Sequence, residues 1–224
     1  MNAIECLRGG LIVSVQAATG SAIDDPTVLA ALARCAQENG AVAVRIAGAS
    51  NIEAVRRRVT VPIIGIIKRT YAGFDPYITP TLREVDEVLS AGAEIVAFDA
   101  TSRARPVDGL PEIVAGIHAR GGIAMADCSQ DSDGVCAVAL GADVVATTLH
   151  GYTKETAGLA LPALDMVRQL STLGAFVICE GGIHSPAQAA EALAAGADAV
   201  VVGTAITNVD WLVSQYVAAT RQRW

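Results

Sequence analysis

The strongest constraint on the fold is an internal repeat, in which a glycine followed by a small or apolar residue opens a run of apolar, largely β-branched residues. Four copies occur about 50 residues apart, a spacing typical of folds built from repeated supersecondary units. They are NGAVAVRIAG at 39–48, AGAEIVAFDAT at 91–101, LGADVVATTLHG at 140–151 and AGADAVVVGTAI at 195–206. In each copy the glycine predicts the end of a helix, and the apolar run predicts a buried parallel strand.

Four further apolar runs alternate with these copies and bring the number of predicted strands to eight. They are GLIVSVQ at 10–16, PIIGIIKR at 62–69, GIAMADC at 122–128 and AFVICEGG at 175–182. The segments between strands have helical periodicity and length, for example 26–39, 81–91, 110–120, 160–173 and 186–195. Eight strands alternating with helices predict an α/β protein with a (β/α)8 TIM barrel. Because no linker or low-complexity tract divides the chain, we expect a single domain over residues 1–224.

Composition agrees with a barrel and argues against several classes of function. Hydrophobic residues make up 52% of the chain but aromatic residues only 4%, as expected for a sheet buried on both faces under Ala-rich helices. The net charge of −7 makes nucleic acid an unexpected partner. No apolar run approaches the ~18 residues of a membrane helix, and the N-terminus lacks the pattern of an export signal. The five cysteines are scattered without Cys-x-x-Cys spacing, so we expect reduced thiols and a cytoplasmic location.

The polar residues that close the apolar runs are the first candidates for chemistry, because TIM-barrel active sites lie at the C-terminal ends of the strands. These residues are Gln16, Arg45, Lys68, Asp99, Asp127, Thr147 or Thr148, Glu180 and the pair Gly203-Thr204. The two-residue period of a strand places Lys68 on the same side as Ile66, and Glu180 on the same side as Ile178. Both side chains are therefore expected in the barrel interior.

Lys68 and Glu180 form a candidate acid–base pair. Lys68 is one of two lysines in the chain, and desolvation at the end of an apolar strand lowers a lysine pKa and raises that of a carboxylate. Strands three and seven lie opposite each other in an eight-stranded barrel. The pair therefore suits a reaction that removes a proton from one face of a carbon atom and returns it to the other. A lysine placed in this way also suits Schiff-base chemistry.

Glycines after strands seven and eight predict a phosphate site. Barrels frequently bind phosphate there, because glycine lets backbone N–H groups approach the anion. We expect Gly182, Gly203 and Thr204 to contact it; the alternative is that Gly-Gly and Gly-Thr only form tight turns.

Other segments carry weaker expectations. No metal site is expected, because the histidines lack metal-ligand spacing; they are His118, His150 and His184. The basic turn at 102–106 could clamp an anion or pair with Asp99, and we favour the pairing. The segment 71–80 is long for a βα loop and directly follows Lys68, so we expect it to cover the substrate.

The whole chain resembles one known family, the bacterial N-acetylmannosamine-6-phosphate 2-epimerases of sialic acid catabolism. The motifs that carry the resemblance are specific together and in order, although each alone is weak. They are GGLIVSVQ at 9–16, AVAVRI at 41–46, VPIIGIIKR at 61–69, ITPTLREVD at 78–86, FDATSRARP at 98–106, MADCS at 125–129, TTLHGYT at 147–153, CEGGI at 179–183 and VVGTAIT at 201–207.

The resemblance implies a cofactor-independent isomerase that inverts C2 of an N-acetylated amino sugar 6-phosphate. It implies proton-transfer roles for Lys68 and Glu180, and substrate contacts for Gln16, Arg45 and Asp127. A phosphosugar would be the small-molecule partner. The oligomeric state stays open, with a homodimer among the options.

Two positions depart from the family pattern. Family members commonly read Glu-Gly-Arg after strand seven and Ala-Ile-Thr-Arg after strand eight, whereas this chain has Gly182 and Asn208. Both replaced groups are cationic and lie near the expected phosphate, so the requirement for phosphate could be relaxed. Three other hypotheses stay open: a Schiff-base aldolase using Lys68, another phosphosugar enzyme on the same barrel, and a non-enzymatic sugar-binding barrel, the last because of the missing cationic groups.

Overall fold

A computed structural model describes residues 4–221 and shows a closed barrel of eight parallel strands, each hydrogen-bonded to its neighbours in chain order. The prediction of a (β/α)8 TIM barrel is confirmed, and the prediction of a single domain over 1–224 stays a prediction. The strands are β1 (Leu11–Val15), β2 (Ala43–Ala47), β3 (Ile63–Ile66), β4 (Ile95–Asp99), β5 (Ile123–Asp127), β6 (Val144–Ala146), β7 (Phe176–Glu180) and β8 (Ala199–Val202).

Helices follow the strands and cover the outside of the barrel. They are α1 (Pro26–Glu38), α2 (Ala49–Arg56), α3 (Leu82–Ser90), α4 (Leu110–Ala119), α5 (Asp131–Ala139), α6 (Leu164–Leu170), α7 (Pro186–Ala194), α8 (Thr204–Thr207) and α9 (Val209–Arg221), with short 3-10 helices at Glu5–Leu7 and Ser171–Leu173. Local sequence sets several helix starts. Asp25 accepts from two backbone N–H groups of α1, and Thr81 with Glu84 forms a capping box on α3. None of the helices in residues 4–221 is long and apolar enough to cross a membrane.

Strand alternation divides the buried side chains between the two faces of the barrel. One cluster fills the interior, and its members include Ile12, Ala43, Ile64, Ile95, Met125, Val144, Ile178 and Val201. The other lies between the strands and the helices. Because alternate residues share a face, the polar side chains in register with the interior cluster emerge at the C-terminal mouth.

β3 is shorter than the predicted run at 62–69. Its pairing with β4 extends only to Gly65, and the chain then leaves the barrel wall. Lys68 instead forms an antiparallel bridge with Ile78, on the returning part of the loop between β3 and α3. Lys68 therefore lies two residues beyond the C-terminal end of β3, above the barrel wall.

Beyond its first turn, the last helix does not pack on the barrel. None of the residues in α9 is buried, and every residue from Val213 to Arg221 is exposed. An apolar groove of about 370 Å³ lies on the outer face of β8 and β1 beside α7, where the eighth helix of a barrel would pack. We call it the outer groove; its lining includes Leu11, Pro186, Ala189, Leu193, Val200, Val202 and Ala205.

Candidate active site

A pocket of about 390 Å³ opens at the C-terminal ends of the strands. Its lining comes from the ends of β1, β2, β3, β7 and β8 and from the loops after β3 and β6. The residues that line it include Ser14, Gln16, Arg45, Ile66, Lys68, Tyr77, Thr148, Tyr152, Glu180, Gly181, Gly182, His184, Gly203, Thr204 and Asn208. Seven of the eight site residues predicted from the sequence therefore face one cavity.

Arg45 organises the floor of the pocket. Its side chain is 1% exposed, and its Nη1 and Nη2 donate to the two carboxylate oxygens of Asp127 at 3.1 and 2.6 Å. Nη1 also lies 2.9 Å from Oε2 of Glu180. Burial opposes the positive charge, but Asp127 and Glu180 raise the pKa of Arg45 above its ordinary value. One buried cation thus holds two carboxylates that come from different strands.

Glu180 is held through only one of its oxygens. Oε2 contacts Arg45 and accepts a hydrogen bond from Thr148 at 3.1 Å, whereas Oε1 accepts no hydrogen bond from residues 4–221. Burial raises the pKa of Glu180, and Asp127 adds to this effect; Arg45, Thr148 and Lys68 act in the opposite direction. The free oxygen of a carboxylate with a raised pKa can exchange a proton near neutral pH.

Lys68 extends into the same pocket from the opposite side of the barrel. Within the described part of the chain, its Nζ makes no hydrogen bond and no ion pair. The side chain reaches solvent through the pocket mouth, yet the protein around it lowers its pKa, and the positive charge of Arg45 lowers it further. Glu180 and Asp127 partly offset these effects. Two titratable groups from opposite strands therefore line one pocket, and the pKa of each is shifted towards that of the other.

Two predicted substrate contacts have different surroundings. Gln16 lines the pocket, and its Nε2 donates to Ser14 at 2.8 Å. Asp127 is fully buried beneath the pocket, and both of its oxygens are bonded to Arg45. One of them also lies 2.7 Å from the hydroxyl of Thr148, which shares its single proton between Asp127 and Glu180. In this geometry Asp127 holds Arg45 and Thr148 in place, and its direct contact with substrate stays a prediction.

The glycine-rich turns after β7 and β8 form the other end of the pocket. Gly182 has φ +69°, a conformation that favours glycine, and a Cβ there would lie 2.3 Å from Cβ of Leu161. The backbone N–H groups of Gly182, Gly203 and Thr204 donate to no acceptor within residues 4–221. We call these three N–H groups the amide cradle; they are available to an anion in the pocket.

The loops at the mouth are pinned by ion pairs. Arg69 pairs with Glu84 and Glu87, which fixes the base of segment 71–80, and Tyr77 of that segment lines the pocket. In the turn after β4, Arg103 pairs with Asp99 at 2.6 Å, as favoured from the sequence. The sequence did not single out Tyr152, which lies in the loop after β6; no periodic pattern marks such a position.

The described histidines have partners unrelated to metal binding. His118 contacts Asp143, His150 contacts the carbonyl of Ser129, and the ring of His184 stacks on Trp211. Within residues 4–221 no group of three or more His, Cys, Asp or Glu side chains could hold a metal ion.

The chain matches one family over residues 29–222, described as "Putative N-acetylmannosamine-6-phosphate epimerase". Relatives that carry the corresponding 2-epimerase name include one from Klebsiella pneumoniae, 46% identical over 96% of this chain and 91% of the relative. Another, from Thermosynechococcus vestitus, is 47% identical over 99% of this chain and 97% of the relative. Among solved structures, the N-acetylmannosamine-6-phosphate 2-epimerase from Clostridium perfringens superposes with a TM-score of 0.94 at 37% identity, covering 98% of this chain and 96% of that one.

Proposed function

The chain belongs to the N-acetylmannosamine-6-phosphate epimerase family, and we propose that it interconverts N-acetylmannosamine 6-phosphate and N-acetylglucosamine 6-phosphate by removing and returning a proton at C2. One observation carries the proposal: the free Nζ of Lys68 and the free Oε1 of Glu180 lie on opposite sides of one pocket. Inversion of a carbon centre needs a proton acceptor on one face and a donor on the other.

The substrate supplies the acidity that this pair needs. In the open-chain sugar, C2 lies beside the C1 aldehyde, so loss of its proton gives an enolate whose charge rests on O1. Lys68 and Glu180 then act as a pair, one taking the C2 proton and the other delivering a proton to the opposite face. The reverse reaction exchanges their roles, so each group must be able to hold and to release a proton.

Arg45 makes this pair possible without taking part in proton transfer. It binds Oε2 of Glu180 and leaves Oε1 free, which fixes the direction of the carboxylate. Asp127 keeps Arg45 in place from below. We propose that Gln16 and Tyr77, which line the pocket beside this pair, contact the sugar.

We propose that the 6-phosphate lies at the amide cradle. Three backbone N–H groups without an internal acceptor lie together at the β7–β8 end of the pocket. They offset, in part, the absence of an arginine at positions 182 and 208, because backbone donors in a glycine turn bind phosphate without a side-chain charge.

The test is an NMR assay of the pure protein with N-acetylmannosamine 6-phosphate in deuterated water. We expect the gluco epimer to appear with deuterium at C2. Turnover without label would exclude proton exchange with solvent, and absence of turnover in either direction would overturn the proposal. Borohydride treatment during turnover separates the aldolase alternative, since only a Schiff base would be trapped covalently on Lys68.

We further propose a homodimer in which α9 of each protomer packs in the outer groove of the other. One face of α9 carries four exposed hydrophobic side chains: Val209, Val213, Tyr216 and Val217. A helix of a monomeric protein normally buries such a face. The outer groove is apolar and unfilled in the same chain. An exchanged helix would cover both surfaces at once, and two-fold symmetry would close the assembly.

The remaining expectations concern the setting. All five cysteines are unpaired, which favours a reducing compartment such as the cytoplasm. The negative net charge supports the proposal that nucleic acid is not a partner.

A further inference from the structure

The two ends of the pocket differ in charge. Three basic side chains line it within the described part of the chain: Arg45, Lys68 and His184. Arg45 is occupied by Asp127 and Glu180, and Lys68 lies at the end where C2 is proposed to react. His184 is therefore the one basic side chain at the β7–β8 end in residues 4–221.

His184 is held by neighbouring elements while its ring nitrogens stay free. Its ring stacks on that of Trp211, with centroids 5.3 Å apart and planes inclined by 19°. Its backbone N–H donates to Oε1 of Gln188 at 2.8 Å. Neither ring nitrogen has a hydrogen-bond or ion-pair partner among residues 4–221. Stacking fixes the plane of the imidazole, so its N–H can point to one place without a large loss of side-chain entropy on binding.

Asn208 is attached to the same support. Its Oδ1 accepts from the backbone N–H of Trp211 at 3.0 Å, which caps the first turn of α9. The acceptor oxygen is thereby occupied, and the amide Nδ2, which can only donate, has no partner within residues 4–221. Because Asn208 also lines the pocket, it adds a second side-chain donor beside His184.

We propose that His184 is a specificity-determining residue that binds the anionic 6-phosphate with Asn208 and the amide cradle, and that Trp211 is the residue that positions it. This inference rests on the proposed function and deepens it, because it names the side chain that separates phosphorylated from free sugars. The enzyme accordingly keeps its preference for the phosphorylated sugar without an arginine at position 182 or 208.

The experiment is calorimetric titration of the whole protein with N-acetylglucosamine 6-phosphate, inorganic phosphate and unphosphorylated N-acetylglucosamine. We expect His184→Leu to weaken binding of both phosphate-bearing probes about tenfold or more, since hydrogen bonds to charged groups are the stronger class. Its affinity for the unphosphorylated sugar should be unchanged. His118→Leu is the matched control, because His118 lies on α4 away from the pocket and should leave all three affinities at wild-type values.

The proposed positioning role of Trp211 is tested with a measurement that a general loss of structure would not change in the same way. Trp211→Leu should raise KM for the phosphosugar and leave kcat unchanged, whereas Trp211→Phe, which keeps a stacking ring, should restore most of the affinity. Circular dichroism melting checks that each variant is folded.

Each outcome decides the proposal. Unchanged phosphosugar affinity in His184→Leu, or equal weakening of the unphosphorylated sugar, overturns it. Absence of phosphate binding by the wild-type protein overturns it as well. Because the titration and the epimerisation assay are separate measurements, a protein that binds phosphosugar through His184 but produces no epimer would refute the proposed function alone.

Discussion

Arg45 on β2 and Asp127 on β5 form a two-pronged ion pair inside the barrel, with N–O distances of 3.1 and 2.6 Å and side chains that are 1% and 0% exposed. The pair crosses the barrel floor, and it also holds the glutamate of the proposed acid–base pair.

Asp127→Asn should destabilise the protein strongly. The change leaves the buried guanidinium with only Glu180 as a charged partner, and breaking a buried pair from one side costs roughly 3 kcal/mol. Urea unfolding measures the effect. Glu38→Gln, which breaks the exposed pair with Arg34, is the control and should change little. Similar free energies of unfolding for the two variants would show that the buried pair is not a structural requirement.

Lys68→Met and Glu180→Gln should each reduce deuterium incorporation at C2 by about 10²–10⁴-fold, because each removes one of the two proton-transfer groups. The chain contains a natural control in its second lysine. Lys154 is 85% exposed and pairs only with Asp75, so Lys154→Met should exchange C2 at the wild-type rate. Full activity of Lys68→Met would show that Lys68 does not transfer the C2 proton.

The pH dependence of kcat/KM, which reports the titrating groups of the free enzyme, should be bell-shaped, with both enzyme limbs inside the range set by the ordinary Glu and Lys pKa values of 4.5 and 10.5. Burial raises the pKa of Glu180, so the acidic limb lies above 4.5; burial and Arg45 lower the pKa of Lys68, so the alkaline limb lies below 10.5. The profile does not reveal which group is the acid. Neutral Lys68 with protonated Glu180 and protonated Lys68 with ionised Glu180 hold the same number of protons, so both patterns give the same bell-shaped curve.

Thr148→Val should move the acidic limb to higher pH. The hydroxyl of Thr148 donates to Glu180 and lowers its pKa, so its removal lets the pKa rise further. Thr148→Ser keeps the donor and should retain the wild-type profile. The substrate phosphate titrates equally in all three proteins, so a difference between them reports on the enzyme; identical limbs would argue against Glu180 as the titrating group.

Val213→Asp should convert the proposed dimer to a monomer, because it places a charge in the apolar face of α9. Light scattering after size-exclusion chromatography gives the mass. Val107→Asp alters another exposed valine, on the loop before α4, and should leave the mass unchanged. A monomeric wild-type protein would refute the helix exchange.

Gly182→Ala should destabilise the protein more than Gly174→Ala. Both glycines have positive φ, +69° and +77°, so both changes carry a similar backbone penalty of about 1–2 kcal/mol. A Cβ at 174 meets nothing within 4 Å, whereas one at 182 collides with Leu161. Crowding adds roughly 1–3 kcal/mol at position 182 alone. Equal losses in urea unfolding would show that Leu161 moves aside freely.

The sequence by itself determined the barrel and the choice of Lys68 and Glu180 as the proposed acid–base pair. The four glycine-and-strand repeats, with the four apolar runs between them, predicted eight parallel strands. Two-residue alternation placed Lys68 and Glu180 on the same side as Ile66 and Ile178. These are local properties, because the period of a strand and the cap of a helix depend on neighbours within a few residues.

Only the tertiary structure decided which polar side chains of the pocket contact one another. The family resemblance implied a substrate contact for Asp127, which stays a prediction. Closure of the barrel adds that its carboxylate lies against Arg45, from which Glu180 also takes its orientation. The stacking of His184 on Trp211 and the departure of α9 from the barrel were equally invisible in the sequence. Such contacts join residues far apart in the chain, and they depend on which side chains arrive in the same small volume once the strands have closed.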